Sequence, residues 1–250
     1  MFTTAPIRAE ENAIFADAAA LHAARNAPKV RAPSDDLYPQ QKKAYAELAS
    51  DRGLGIVTGV AGAGKSRLTR DYAAAQRDAG VRVIGTAVAG DAALTLGDEA
   101  QIETRNLAQL LCDLRPGPDG TAKDRLTKKT VVLVDEAGTL GAEQARELFA
   151  GVRAAGAKLR LLGDESQHES VGRGAVLRGL VEQFGAFDMG ETQRAQSEYL
   201  RKAGVDLRAG RVSRAFDAPA GTRAHRRIRN QGRCESGAGA RLCRQHREGP

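Results

Sequence analysis

The sequence has no run of eighteen apolar residues, so nothing in it is long enough to cross a bilayer as a helix. Its start, MFTTAPIRAEENAIF, has neither the basic opening nor the apolar stretch of a secretory leader, and the reading is cytoplasmic with no membrane partner. Cysteine is scarce. Cys112, Cys234 and Cys243 form an odd, scattered set that suits a reducing compartment rather than a disulfide framework. Cys234, Cys243 and His246 stand in a C-x8-C-x2-H spacing that matches no compact zinc pattern and has no fourth ligand nearby, which argues against a metal there. A basic body is also missing. The formal net charge is +7, but residues 218–250, with eight Arg, no Lys and two Glu, carry +6 of it. Any nucleic-acid reading must therefore rest on local residues and not on global charge.

What is present is an ordinary globular composition. With 250 residues, 42% of them hydrophobic, the chain can form one large domain or two small ones. Residues 9–24 are Ala-rich and helix-like, and a Pro- and charge-punctuated connector follows, so residues 1–36 read as a helical lead-in and not as core. From residue 37 short aliphatic runs alternate with helical segments. Strands are expected at 55–58, 81–86, 130–134 and 158–162, with helices at 66–79, 90–96, 141–154 and 174–184. Strands apolar on both faces and separated by helices imply an α/β fold, a mostly parallel sheet with helices on both sides, over residues 37–217. The stretch 115–124, rich in Pro and Gly, reads as a surface loop. Residues 218–250 hold only Ile228 and Leu242 as branched aliphatics and show no periodicity, so they read as a disordered tail or as a basic arm for nucleic acid.

Three strand ends carry chemistry. The first is GVAGAGKS, comprising Gly59, Val60, Ala61, Gly62, Ala63, Gly64, Lys65 and Ser66, placed between a strand and a helix. In that context the glycines let backbone N–H groups wrap phosphates, and the helix presents its positive end to them. Lys65 supplies a point charge to the β- and γ-phosphates of ATP, and Ser66 is a Mg²⁺ ligand. The second is VVLVDEA, an apolar strand ending in Asp135 and Glu136. Asp135 is placed to hold Mg²⁺ through water and Glu136 to activate the attacking water; the other reading makes the pair an N-cap for the helix after it. The third is LRLLGDESQ, which places the Gln167 amide near the γ-phosphate or in an ordinary polar turn.

The ordered set LYPQQKKA with Gln41, GVAGAGKS, VIGTAVAGDAA, VVLVDEAG, LLGDESQ and ETQRAQ resembles the helicase half of TraA/MobA-type conjugative relaxases, a RecD-like superfamily 1 motor. The resemblance spans about residues 37–217 and implies a RecA-like P-loop NTPase lobe. It implies that Gln41 reads the adenine edge, that residues 86–93 touch single-stranded DNA, and that Arg194 is an arginine finger on the γ-phosphate. Each has a plain alternative: a solvated helix residue, a strand end with its turn, and a surface cation. His168 stands where the family more often has an apolar residue, and its role is open. The resemblance also implies partners: single-stranded DNA, and a second helicase lobe or a relaxase on another chain. No second set of strand-end motifs and no histidine triad with a transesterifying tyrosine is visible. The composition break at Ala218 is what a shifted reading frame in a GC-rich gene would produce, and translating the other frames tests it. The expectation is a motor ATPase unable to unwind alone; the competing readings are a P-loop kinase and an inert nucleic-acid-binding remnant.

Overall fold

A computed structural model of the chain describes residues 5–25, 30–60, 62–117, 121–164 and 175–190. Expectations for Ala61, Gln167, His168, Arg194, Cys234, Cys243, His246 and residues 218–250 lie outside the described residues. The elements in chain order are α1 (Ala5–Ala23), α2 (Pro39–Leu48), β1 (Leu54–Thr58), α3 (Lys65–Asp78), β2 (Arg82–Ala87), α4 (Gly90–Ala100), β3 (Glu103–Asn106) and α5 (Leu107–Leu114). They continue with β4 (Thr130–Val134), a 3-10 turn (Ala137–Thr139), α6 (Ala142–Ala155), β5 (Lys158–Gly163), α7 (Ala175–Phe184) and β6 (Phe187–Asp188). No described helix is long and apolar enough to cross a membrane.

The six strands form one sheet in the order β3-β2-β4-β5-β1-β6, and every pairing is parallel. Parallel neighbours need crossovers, and right-handed crossovers dictate which face each helix covers. The path β1 to β2 to β3 runs one way along the sheet and puts α3 and α4 on one face. The path β4 to β5 to β6 runs the other way and puts α6 and α7 on the opposite face. Two cores result. Leu68, Tyr72 and Ala73 of α3 and Leu96 of α4 pack with α2 on Val57, Val83, Val131 and Leu133. On the other face, α1, α5, α6 and α7 pack on Ile56, Ile84, Val132 and Val134. Strand β4 thus sends alternate side chains into the two cores, and each fully buried Val or Leu contributes about 1.5–3 kcal/mol relative to exposure.

The N-terminal helix corrects the expectation of a lead-in outside the core. Ile14, Ala18 and Leu21 are 1%, 0% and 2% exposed and belong to the core cluster beneath α6. Their spacing places them on one helical face, which an Ala-rich sequence marks only faintly. Three further elements were not expected. Strand β3 (ETRN) is polar and borders the sheet, α5 follows it at once with Asn106 Oδ1 accepting from Gln109 N at 2.8 Å, and β6 has two residues. Lys158 and Arg160 of β5 break the apolar pattern, since both are buried, at 2% and 0% exposure.

Candidate nucleotide-binding site

Adjacent strands whose crossovers leave to opposite faces open a crevice at their carboxyl ends, where open α/β sheets take ligands. Strands β1 and β5 are such a pair, because α3 leaves from β1 and α7 follows β5 on the other face. The phosphate-loop motif begins there. Gly59 N donates to Gly163 O at 3.0 Å and Met189 N donates to Thr58 O at 2.8 Å, so neighbours on both sides fix the direction in which the chain leaves β1.

The loop then turns tightly, with Ala63 N donating to Val60 O at 3.0 Å. Gly62 and Gly64 have φ of 83° and 88°, a region that favours glycine. Gly64 is the N-cap of α3 and brings no side-chain cap, so the N–H groups of the first turn remain for an anion, together with the positive end of the helix dipole. Lys65 opens α3. Its Nζ donates to Gly59 O at 2.5 Å and reaches Val60 O at 3.4 Å, which folds the ammonium back over the loop. Ser66 follows on the same first turn, half-buried.

The acidic pair sits at the end of β4, two strands away, with β5 between. Asp135 N donates to Thr86 O at 2.8 Å and extends the β4–β2 pairing by one residue. Burial pushes the Asp135 carboxyl above its usual range, while the Glu136 N–H, which donates to Asp135 Oδ1 at 2.9 Å, and the charge of Lys65 pull it down. Lys65 and Asp135 therefore share one electrostatic site although 70 residues part them. Glu136 is exposed and has φ of 50°, a left-handed conformation uncommon for a residue with a side chain. Thr139 holds it there, since its N and Oγ1 each donate to Glu136 O at 2.8 Å. Neither carboxylate caps a helix: Glu136 makes no side-chain cap to the turn after it, and α6 begins from Gly141. Glu136 stands at the N-cap position of the 3-10 turn through its backbone alone.

Asp135, half-buried and near enough to Lys65 to feel its charge, and the Ser66 hydroxyl on the first turn of α3 are hard oxygen donors of the kind Mg²⁺ takes. Strand β5 ends between the two motifs with Gly163 and Asp164, the latter 6% exposed, which brings the third expected motif to the same edge as far as residue 164. From Ser66 a cavity of about 660 Å³ runs along α3, lined by Leu37, Arg67, Arg70 and Glu99 among others. In the segment 86–93, Thr86 and Ala93 are buried while Ala89, Gly90 and Asp91 are exposed around the start of α4. Gln41, on α2, lies 1% exposed beside Gly64. Thr86 as the backbone partner of Asp135 and Met189 as the neighbour of Gly59 carried no sequence signal, because strand order alone brings them in.

The family model described as AAA domain matches residues 36–232. The conjugal transfer protein TraA of Agrobacterium fabrum (strain C58 / ATCC 33970) is 35% identical over 180 residues, covering 72% of this chain and 16% of that protein. The probable conjugal transfer protein TraA of Sinorhizobium fredii (strain NBRC 101917 / NGR234) is 32% identical over 181 residues, again 72% of this chain and 16% of its own length. The RecBCD enzyme subunit RecD of Mycolicibacterium smegmatis (strain ATCC 700084 / mc(2)155) is 30% identical over 177 residues, covering 61% of this chain and 32% of that protein. A solved structure of Pif1 helicases at forked DNA overlays with a TM-score of 0.49 at 18% identity, over 70% of this chain and 48% of that one. The match thus spans about a sixth of the length of the TraA relatives, at 16%. The chain belongs to the AAA domain family and carries a RecD-like lobe of the kind found in TraA-type conjugal transfer proteins.

Proposed function

We propose that residues 37–217 are the nucleotide-hydrolysing first lobe of a DNA helicase used in conjugative transfer. The observation that carries this reading is the placement of the phosphate loop, the end of β5 and the Asp135–Glu136 pair along one edge of the sheet. ATP lies with its phosphates on the first turn of α3 and its nucleoside toward the cavity beside Ser66. Lys65 leaves the Gly59 carbonyl to meet the β- and γ-phosphates, and Ser66, with Asp135 through water, would hold Mg²⁺. The metal, when bound, draws charge from the phosphate oxygens. Glu136, standing clear of the fold on its left-handed turn, takes the proton of a water whose oxygen attacks the γ-phosphorus, and ADP leaves with the β-γ bridging oxygen. Gln167 and Arg194 are proposed to hydrogen-bond the γ-phosphate, and the exposed Ala89, Gly90 and Asp91 to border the path of single-stranded DNA.

A motor of this kind moves by opening and closing two lobes on the nucleotide. This chain by itself is therefore proposed to hydrolyse slowly and to displace no strand, the second lobe or a relaxase being supplied by another chain. The test is the steady-state rate of phosphate release with and without single-stranded DNA. DNA-stimulated hydrolysis that Lys65→Ala abolishes supports the reading, and hydrolysis stimulated by a small-molecule acceptor instead of DNA overturns it.

A further inference from the structure

The carboxylate of Glu136 has no hydrogen bond and no ion pair among the described residues, and the residue is exposed. Nothing at its tip aims it, so its direction is set by the backbone beneath it. That backbone is pinned on both sides. The Glu136 N–H donates to Asp135 Oδ1 at 2.9 Å, which fixes the peptide plane before its Cα. The Glu136 carbonyl accepts from Thr139 N and from Thr139 Oγ1, each at 2.8 Å, which fixes the plane after it. Two fixed planes leave the Cα–Cβ bond one direction.

The conformation so held is one that a side chain resists, with φ of 50° and ψ of 40°. Freed of its bonds, the residue would relax toward the right-handed or extended regions and swing its carboxylate away. Apolar groups anchor the 3-10 turn that follows, since Ala137 and Leu140 are each 1% exposed and belong to the core. Thr139 is half-buried and is the one residue of the turn that brings a polar side chain. Threonine hydroxyls often bond a carbonyl three or four residues back, and such a bond alone means little. Its consequence here comes from the acceptor, which belongs to the left-handed residue that carries the exposed carboxylate. Branching at Cβ also restricts χ1, so the hydroxyl is held ready at small entropic cost.

We infer that Thr139 is a positioning residue for hydrolysis, whose hydroxyl keeps the Glu136 carboxylate turned toward the attacking water. This inference rests on the reading of Glu136 as the group that takes the proton of that water. Thr139 touches neither nucleotide nor water in this role and acts through the Glu136 carbonyl. A reacting group misplaced by about 1 Å can cost about 100-fold in rate, so losing one of two bonds on that carbonyl should cost about tenfold in the chemical step and nothing in ATP affinity.

The experiment measures single-turnover hydrolysis of ATP by the full chain, with Mg²⁺ and single-stranded DNA present, and ATP affinity by titration calorimetry. The proteins are wild type, Thr139→Val, Thr139→Ser, Glu136→Gln and the double variant Glu136→Gln/Thr139→Val, all held well below their melting temperatures. Thr139→Val keeps the shape and loses the hydroxyl, so hydrolysis should fall about tenfold while ATP affinity stays within about twofold of wild type. Thr139→Ser restores the donor and should return the rate to within about threefold of wild type. In the Glu136→Gln background Thr139→Val should change hydrolysis no further, because the group it positions is gone. A Thr139→Val rate equal to wild type, an equal loss in Thr139→Ser, a parallel loss of ATP affinity or a further fall of about tenfold in the double variant would each overturn the inference. Glu136→Gln separates it from the parent reading. If that variant hydrolyses slowly while Thr139→Val matches wild type, the positioning role fails and the proton acceptor stands; if Glu136→Gln hydrolyses as fast as wild type, both fail.

Discussion

Arg160 donates from Nε to the carbonyl of Leu48 at 2.6 Å, across 112 residues of sequence, and does so with no exposure to solvent. Its Nη1 donates to Gly53 O and Leu159 O at 3.3 and 3.0 Å, and its Nη2 to Ser50 O and Arg52 O at 3.1 and 3.0 Å. All five guanidinium protons thus meet backbone carbonyls, and no carboxylate takes part. Leu48 closes α2, so the cation also lies at the negative end of that helix. Arg160→Met should destabilise the protein by about 3–5 kcal/mol, because the segment 48–53 would keep its carbonyls buried and unpaired. Arg160→Lys should recover little, since one ammonium cannot address five acceptors in a plane. Urea unfolding followed by circular dichroism measures both.

Lys158, two residues earlier on the same face, is the opposite case. It is 2% exposed with one hydrogen bond, from Nζ to Ser50 O at 3.2 Å, and burial with the Arg160 charge lowers its pKa from 10.5 to about 8. Between those two values the unfolded chain binds the extra proton, so stability should rise as pH increases from about 8 toward 10.5. At pH 7 the charged side chain is a burden. Lys158→Met should therefore stabilise the protein at pH 7 by on the order of 1–2 kcal/mol, with the difference shrinking as pH approaches 10. Unfolding curves at pH 7 and pH 9.5 for both proteins decide it; a variant less stable than wild type at pH 7 refutes the argument.

The edge of the sheet beside β3 is held by charge. Arg82 Nη1 meets Asp124 Oδ1 at 2.7 Å, and Arg105 Nη1 meets Asp124 Oδ2 at 2.9 Å and Asp113 Oδ2 at 3.0 Å. The Arg82 hydrogen bond, foremost, holds the Asp124 carboxyl down at about 2 from 3.8. The stability this supplies is complete above 3.8 and is lost as pH falls through about 2. Asp124→Asn should cost about 2 kcal/mol at pH 7 and should flatten the loss of stability between pH 4 and pH 2. Guanidinium unfolding at a series of pH values measures both effects.

These residues also mark where the sequence was legible. The phosphate loop, Asp135–Glu136 and their flanking strands were readable because each motif is local: a buried strand, a turn and a helix follow one another directly in the chain. What lay between them was not. That β5 separates β1 from β4 is a consequence of crossover direction, and no single segment encodes it. Strand β3 escaped notice because ETRN has no apolar residue; its place at the edge depends on partners such as Asp113 and Asp124, which the Pro- and Gly-rich stretch before 124 disguises as a plain loop. The amide of Gln41 joins Gly64 across 23 residues, and only the folded chain shows that it is already engaged.

Helix α1 supplies a test of the corrected reading of the N-terminus. Leu21 is 2% exposed, and its carbonyl accepts from Gly53 N at 3.0 Å, where the chain enters β1. Leu21→Ala should cost about 2–5 kcal/mol, the range for removing a buried leucine from a packed core. An alanine substitution at an exposed position of the same helix, Asn12→Ala, should change stability by less than about 0.5 kcal/mol. Equal effects at the two positions in thermal unfolding would return α1 to the status of an appendage.

Glu136 combines strain and chemistry, which can be separated by substitution. Its φ of 50° costs about 1–2 kcal/mol for an L-residue, of which glycine is free, although glycine gives back about 0.5–1 kcal/mol in unfolded-chain entropy. Glu136→Gly should therefore raise stability by about 0.5–1 kcal/mol while hydrolysis falls at least about 100-fold through loss of the proton acceptor. Glu136→Gln keeps the strain and loses only the acceptor, so its stability should match wild type while its hydrolysis falls equally. Both should still bind ATP, because neither changes the loop at Gly64 or the charge of Lys65. Paired unfolding and single-turnover measurements distinguish the outcomes. If Glu136→Gly is both active and more stable, the left-handed turn serves the fold's geometry alone, and the water must be activated from elsewhere along the edge of the sheet.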